Sequence, residues 1–264
     1  MKSIYKKINI SSSFLLLLFL SLISGLFKDI MTLFLVIIIH EVGHILTSLY
    51  YGWNIKKINI GLCGGYIYYE ELIDKPFKEE FFISISGFIM QLVLMVISII
   101  LYKNSIIDLS FFSLIQKYNI SIFVFNLLPI IPLDGSKIIN LLFNVFFPYR
   151  RSLKLTNILS VFVLMILLIY FFIFSFKIEY SYIMVFCFLI KCIILNKKEI
   201  PYLFNKFLFE RYKYPIKSTK YKYIKGNKLN KLKRWKKHLF LIENKVYSEK
   251  KVLSKKFDYL SILW

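Results

Sequence analysis

The chain is poor in the residues that break or staple a polypeptide. Six prolines, nine glycines and three cysteines are spread over 264 residues, beside 58% hydrophobic and 19% aromatic residues. So apolar a composition, with so few turn-formers, excludes an ordinary soluble globular domain. The cysteines (Cys63, Cys187, Cys192) show neither CxxC nor paired spacing, which excludes a disulfide framework and a thiolate zinc site. Acidic residues are scarce as well, 15 against 36 basic, for a formal net charge of +21. That charge is concentrated: from Lys197 onward there are 20 Lys+Arg and 5 Asp+Glu, a net of +15. No recognised nucleic-acid motif accompanies it, so nucleic acid is the least favoured partner. There is no G-x-S-G for a serine intramembrane protease and no second membrane carboxylate for an aspartyl dyad.

What the chain has is long apolar runs, several near or above the roughly 18 residues that suggest a membrane span. They fall at about 10–27, 30–51, 81–102, a fourth starting between 111 and 119, 155–176 and 180–195. No A-x-A-like site follows the first run, so it reads as an uncleaved span. Between the second and third runs, residues 55–60 and 66–69 are β-branched or aromatic and flank Gly61, Gly64 and Gly65, which predicts two short strands around a glycine turn. Such strands sit in the interface or pack against protein lining a cavity, because open strand edges do not face lipid. Six spans put both termini on one side. Eleven basic residues flank the spans on that side against four on the other, which places both ends in the cytoplasm.

The second run contains His40-Glu41-Val42-Gly43-His44, and two of the three histidines in the chain are here. On a helix, positions i and i+4 share a face, so both imidazoles can reach one metal ion. Glu41 follows the first histidine directly, where a carboxylate can reach a metal-bound water. Zinc suits two histidines plus an oxygen ligand, with the fourth position open. Ionisable groups in a stretch otherwise fit for lipid are costly and usually functional. The fourth span ends in Asn126-Leu-Leu-Pro129-Ile-Ile-Pro132-Leu133-Asp134-Gly135, where two prolines must break or bend the helix. Asp134 is an acidic residue at membrane depth that can complete the zinc site; it is also acceptable turn chemistry, since Asp-Gly is common in turns.

The two motifs together resemble the site-2 proteases, polytopic zinc proteases that cut substrates within or near the membrane. The Gly64-Gly65 turn and the Ser86-Gly87 step also fall where that family has glycines, although Phe88 stands where it often has proline. Within the family the chain resembles in particular the sporulation stage IV protein FB subgroup, through the Leu128–Gly135 stretch, Lys78-Glu79-Glu80-Phe81, and the run from Lys206 to Tyr212; the resemblance covers about the first 215 residues. It implies one zinc per chain held by His40, His44 and Asp134, with Glu41 as general base. Asn126 would lie near the zinc, to hydrogen-bond substrate or the developing oxyanion, or would glue two helices. With Pro132, Gly64 and Gly65 it forms the candidate substrate-binding set, the strand at 64–69 offering an edge to an unwound peptide or merely capping the bundle. The implied partner is a membrane-associated protein substrate, in that subgroup a pro-sigma factor, with membrane-protein inhibitors as further partners.

The expected fold is therefore an all-α polytopic membrane protein of about six transmembrane helices with a short membrane-associated β-hairpin and a small basic α/β cytoplasmic tail. The expected division is a metalloprotease core over 1–196 and a tail over 197–264. In the tail, 221–224 reads as a strand, 228–237 as a basic helix, and 238–242 with 245–247 as a hairpin. His238, among lysines, reads as solvent-exposed. The related sporulation proteins carry a nucleotide-sensing CBS domain here, and this tail would be a reduced version; its charge also suits anionic lipid or an acidic protein. The alternative from a different class is a zinc-binding scaffold or transporter without proteolysis. Glu41 argues against it, because a scaffold needs the ligands and not the base.

Overall fold

The computed structural model describes residues 8–10, 19, 21–61, 64–174, 180–216, 221–243 and 245–261. The chain divides into two compact units, residues 1–71 with 77–127 and residues 72–76 with 128–264. The fold is mostly helical with two small sheets. Half of the expected first span, residues 11–18 and 20, lies outside the described residues.

In the first unit, strand β1 (Ile8–Ile10) pairs in parallel with β2 (Ile55–Gly61), which pairs antiparallel with β3 (Gly64–Tyr69). The expected hairpin is present. The parallel strand β1 was not foreseen, because three residues in a basic N-terminal segment carry no strand pattern of their own. Helix α1 (Phe27–Tyr50) carries the HExxH motif. It ends where Gly52 adopts φ +69°, its N–H bonding Leu49 O at 2.9 Å and the Trp53 N–H bonding Ser48 O at 2.9 Å. Only glycine takes that left-handed turn without strain, and the paired bonds satisfy the last carbonyls of the helix. Helix α2 (Phe77–Lys103) starts just after Pro76 and has Glu79 and Glu80 in its first turn, complementing the positive end of its dipole.

The buried face of α2 includes Ser84, Gly87, Gln91, Leu94 and Ser98, spaced three and four apart. This stripe of small and amide residues is what lets membrane helices approach closely. Helix α3 (Leu109–Leu127) begins slightly earlier than the expected fourth span and packs with both others, Val36, Leu94 and Ile115 forming a buried apolar cluster. The Tyr118 hydroxyl donates to Asp29 Oδ1 at 2.7 Å and Gln116 Nε2 to Ser98 Oγ at 2.7 Å, so polar groups along these helices find partners inside the unit. As the two prolines predict, α3 stops at Leu127 and a new helix begins only at Asp134.

In the second unit, α4 (Asp134–Phe146), α5 (Tyr149–Phe174) and α6 (Tyr180–Lys213) follow one another. Among the described residues, three helices have the length and composition of a membrane span: α1, α2 and Tyr149–Ile173 of α5. The expected sixth span ended at 195, yet α6 runs on to Lys213 through Lys197-Lys198-Glu199. Charged residues end a membrane span but are good helix formers in water, so the helix outlasts the hydrophobic run.

The tail forms a sheet of order β4-β5-β6, with β4 (Tyr221–Lys225) parallel to β5 (Lys237–Ile242) and β5 antiparallel to β6 (Lys245–Ser248), and closes with helix α7 (Glu249–Ser261). The expected strands are there, but the expected helix over 228–237 is replaced by a single 3-10 turn at Leu229–Lys231 and irregular chain. Leu232 is fully buried in a core with Tyr149, Phe204, Phe207, Leu208, Phe240 and Leu253. Burying each such side chain is worth about 1.5–3 kcal/mol, enough to override the weak helical preference of the segment. His238 is likewise corrected: it is 0% exposed and accepts the Lys233 N–H at Nε2, 3.2 Å away. The lysines around it in sequence point elsewhere once β5 becomes the central strand.

Candidate metal centre

His40 and His44 lie one turn apart on α1, 2% and 5% exposed. Each imidazole is held through its Nδ1. His40 Nδ1–H donates to Gln91 Oε1 at 3.1 Å, and His44 Nδ1–H donates to the Ile83 carbonyl at 2.6 Å. A proton on Nδ1 puts the ring's lone pair on Nε2, which is the form a histidine needs to bind metal. The two Nε2 atoms stand 3.1 Å apart. Two imidazole lone pairs turned on one point repel unless a cation or a proton lies between them, and this geometry fits a metal ion.

The floor under the pair is made by the absence of a side chain. A Cβ at Gly87 would stand 2.4 Å from His40 Cε1 and 2.7 Å from His44 Nε2, distances that no real contact allows. Gly43 is constrained in the same way from the other helix, its Cβ position lying 2.6 Å from the Ser86 carbonyl oxygen. What Gly87 packs against is the histidine pair. Ser86 Oγ lies 3.3 Å from His44 Nδ1 and donates to the Ile83 carbonyl at 2.7 Å, which fixes the acceptor for His44.

Gln91 is the residue that sequence reasoning missed. It is buried, and its amide is locked by α3: Asn119 Nδ2 donates to the Gln91 carbonyl at 2.9 Å, and Gln91 Nε2 reaches the Asn119 carbonyl at 3.5 Å. The only available signal was a lone amide in an apolar span, spaced seven residues from Ser84 and four from Gly87.

Asp134 is the first residue of α4, is buried, and accepts a bond from Lys137 Nζ at 2.7 Å. His40, His44 and Asp134 each offer one ligand atom, all lying within 4.8 Å of one another. Two neutral imidazoles and a carboxylate are a zinc donor set. Glu41 is half-buried on α1. Of the candidate substrate residues, Asn126 is half-buried in the last turn of α3, and Pro132 follows a cis Ile131–Pro132 bond ahead of α4. Gly64 and Gly65 open β3, opposite Gly61 and Ile60, and β3 is an edge of its sheet.

Comparison with known proteins points the same way. The model of peptidase family M50 matches residues 29–107 and 103–170. Stage IV sporulation protein FB of Bacillus subtilis (strain 168) is 33% identical over 193 residues, which are 73% of this chain and 67% of that protein. A zinc metalloprotease of Methanocaldococcus jannaschii is 28% identical over 127 residues, 47% of this chain and 36% of that one. Among solved structures, the site-2 protease from Methanocaldococcus jannaschii has the same fold, with a TM-score of 0.54 and 22% identity over 72% of this chain and 89% of that chain.

Proposed function

The chain belongs to peptidase family M50, the site-2 type of intramembrane zinc metalloprotease, and from that premise we propose roles for its residues, an orientation and a substrate. The observation that carries the residue roles is the pair of Nε2 atoms 3.1 Å apart, each imidazole being held by a bond at Nδ1. His40, His44 and Asp134 hold the zinc, which when bound supplies a Lewis acid for a peptide carbonyl and lowers the pKa of a water. Glu41 would be the base that accepts a proton from the attacking water and passes it to the leaving amine. Asn126 donates its amide to the oxyanion as charge develops there. A helical peptide offers no free backbone, so the substrate is unwound and added as a strand to the edge of β3 beyond Gly64 and Gly65, with Pro132 shaping the chain before Asp134.

The membrane core comprises about six spans: α1, α2, α3, α5, the first half of α6, and the apolar run ahead of α1. Both termini face the cytoplasm by the distribution of basic residues. The segment from 197 onward acts in substrate choice or regulation, since it holds neither ligand nor base. Likeness to stage IV sporulation protein FB suggests a pro-sigma factor as the substrate. Membrane-protein inhibitors would act on the same core.

The test is co-expression with a candidate pro-sigma factor, comparing the intact chain with Glu41→Gln and Asp134→Asn. Glu41→Gln should retain zinc and membrane insertion and lose cleavage by several orders of magnitude. Asp134→Asn should lose both zinc and cleavage, because a charged oxygen donor becomes a neutral one. Product at the wild-type level from Glu41→Gln would end the general-base assignment, and full zinc content in Asp134→Asn would remove Asp134 from the ligand set.

A further inference from the structure

A cleft of about 810 Å³ opens where α4 meets α5 and the tail sheet. Arg150, Arg151 and Lys154 reach it from the first turns of α5, Lys222 and Lys225 from the edge strand β4, Lys231 from the 3-10 turn and Lys233 from the chain after it. Among the described residues lining it there is no carboxylate. Seven cations sharing one concavity repel one another, and a protein keeps such an arrangement at a cost unless an anion enters. Lys233 registers the crowding: its pKa lies below the usual lysine value, through burial first and then the charges of Lys222 and Lys236.

Three of the cations are held in place by neighbouring groups. The Arg150 guanidinium lies over the Phe204 ring, 5.4 Å from its centroid, while its Nη1 donates to Asn230 Oδ1 at 2.7 Å. Arg151 lies over Phe147 at 5.2 Å, and Lys233 Nζ bonds the Phe146 carbonyl at the end of α4. Arg150 Nε is buried and makes no hydrogen bond, so one donor of this group is left unsatisfied. Guanidiniums stacked on rings lose little freedom when they bind an oxyanion, and their geometry suits phosphate oxygens.

The lining is also apolar on one side, and this decides the source of the phosphate. Phe146, 68% exposed, and Tyr223, 59% exposed, line the cleft beside Phe147 and Pro148. Leu142 and Val145 on α4 are exposed as well. The cleft stands at the N-terminal end of Tyr149–Ile173, a helix long and apolar enough to cross a membrane. Cations beside exposed aromatic and aliphatic groups at the end of a span are the arrangement that meets a headgroup above and acyl chains below. A soluble phosphate would use the cations and leave Phe146 and Tyr223 without a role.

We propose that this cleft is a binding site for the phosphate of an anionic phospholipid headgroup, which fastens the tail sheet and the start of α5 to the membrane surface. Neither the zinc site nor the identity of the protein substrate enters into it. The full chain, purified in an uncharged detergent, is titrated calorimetrically with short-chain phosphatidylglycerol, with short-chain phosphatidylcholine, and with inorganic pyrophosphate. Phosphatidylglycerol should bind and phosphatidylcholine should not. The variant K154Q/K222Q/K225Q removes three exposed side chains, so no packing is lost, and should weaken the binding by about tenfold or more. The variant K250Q/K251Q/K255Q takes the same charge from the exposed face of α7 and should stay within about twofold of the intact chain. Equal losses in the two variants would reduce the cleft to diffuse surface charge. Tighter binding of pyrophosphate than of the lipid would make the occupant a soluble phosphate, and the absence of any phosphatidylglycerol binding would remove the site; each of these overturns the proposal.

Discussion

The groups that hold the His40 and His44 rings at Nδ1 are neutral, an amide and a main-chain carbonyl with a hydroxyl beside it, gathered on helices where a glycine leaves room for two imidazoles. Around Arg211 they are charged. Arg211 is almost fully buried and bonds Asp74, Glu249 at 3.2 Å, and the carbonyls of Lys233 and Lys236. Arg234 also meets Asp74, at 3.7 Å, and the His238 N–H donates to Glu249 at 3.2 Å. In the first, neutral partners at Nδ1 turn the two Nε2 atoms toward the metal position that they share with the Asp134 carboxylate. The second uses charge to pin the loop at 72–76 against the tail sheet. Neutral partners set a tautomer without competing for the metal; charged partners hold chain segments together and are costly to break one at a time.

The largest effect expected from breaking this contrast is at Asp74. Asp74→Leu leaves Arg211 and Arg234 each short of a carboxylate in a buried setting, and removing one member of such a network costs about 3–5 kcal/mol. The tail sheet should open correspondingly earlier, seen as faster amide exchange in β5. Zinc content should be unchanged, because no ligand or ligand partner belongs to this network. A variant with a normally protected β5 would show that the charges are surface decoration rather than the fastening of the loop.

These two interiors also differ in how far the sequence discloses them. The histidine pair, Glu41 and Asp134 sit in two short motifs whose spacing has chemical meaning, and the turn chemistry of Pro129 and Pro132 marks the break before Asp134. The hairpin was legible from the glycines between β-branched residues. Gln91 was not, because an amide in an apolar run has no motif and its partner Asn119 is far along the chain. Nor was the ion network: Asp74 and Arg211 are separated by more than half the chain, and nothing local joins them. The segment around 228–237 misled for a related reason. Its leucines have helical spacing, but Arg234 bonds the Ile73 carbonyl and Trp235 Nε1 donates to Lys75 O at 2.6 Å, with Trp235 itself at φ +57°. A contact with a distant loop outweighs a local preference of a few tenths of a kcal/mol per residue.

Gln91 sharpens the contrast from the other side. Gln91→Leu preserves the volume and removes the acceptor that keeps the His40 proton on Nδ1. Loss of such a partner typically weakens metal binding by about 10–100-fold, and zinc affinity measured by competition with a chelator should fall by that much. Gln91→Glu keeps an acceptor at the same place and should restore most of the loss. If Gln91→Leu bound zinc as tightly as the intact chain, the bond at 3.1 Å would be incidental, and helix packing alone would orient His40.

The smallest effect belongs to Tyr118, and it tests whether the neutral partners of the histidines are special or merely typical of polar contacts in the unit. Its hydroxyl donates to Asp29, a carboxylate acceptor on the same helix as His40 but about three turns away. Tyr118→Phe removes one hydrogen bond to a carboxylate, worth about 1.5–3 kcal/mol if fully buried and nearer 1 kcal/mol at this half-buried position. Asp29 keeps a second source of stabilisation, since it lies in the first turn of α1 beside the positive end of the helix dipole. The variant should therefore unfold slightly more easily in a detergent denaturation series. Its zinc affinity should match the intact chain, because nothing between Asp29 and His40 carries a tautomer. A loss of affinity as large as that of Gln91→Leu would mean that any loosening of α1 against α3 disturbs the histidines, and the distinction drawn here between a partner that orients a ligand and a bond that only staples two helices would not hold.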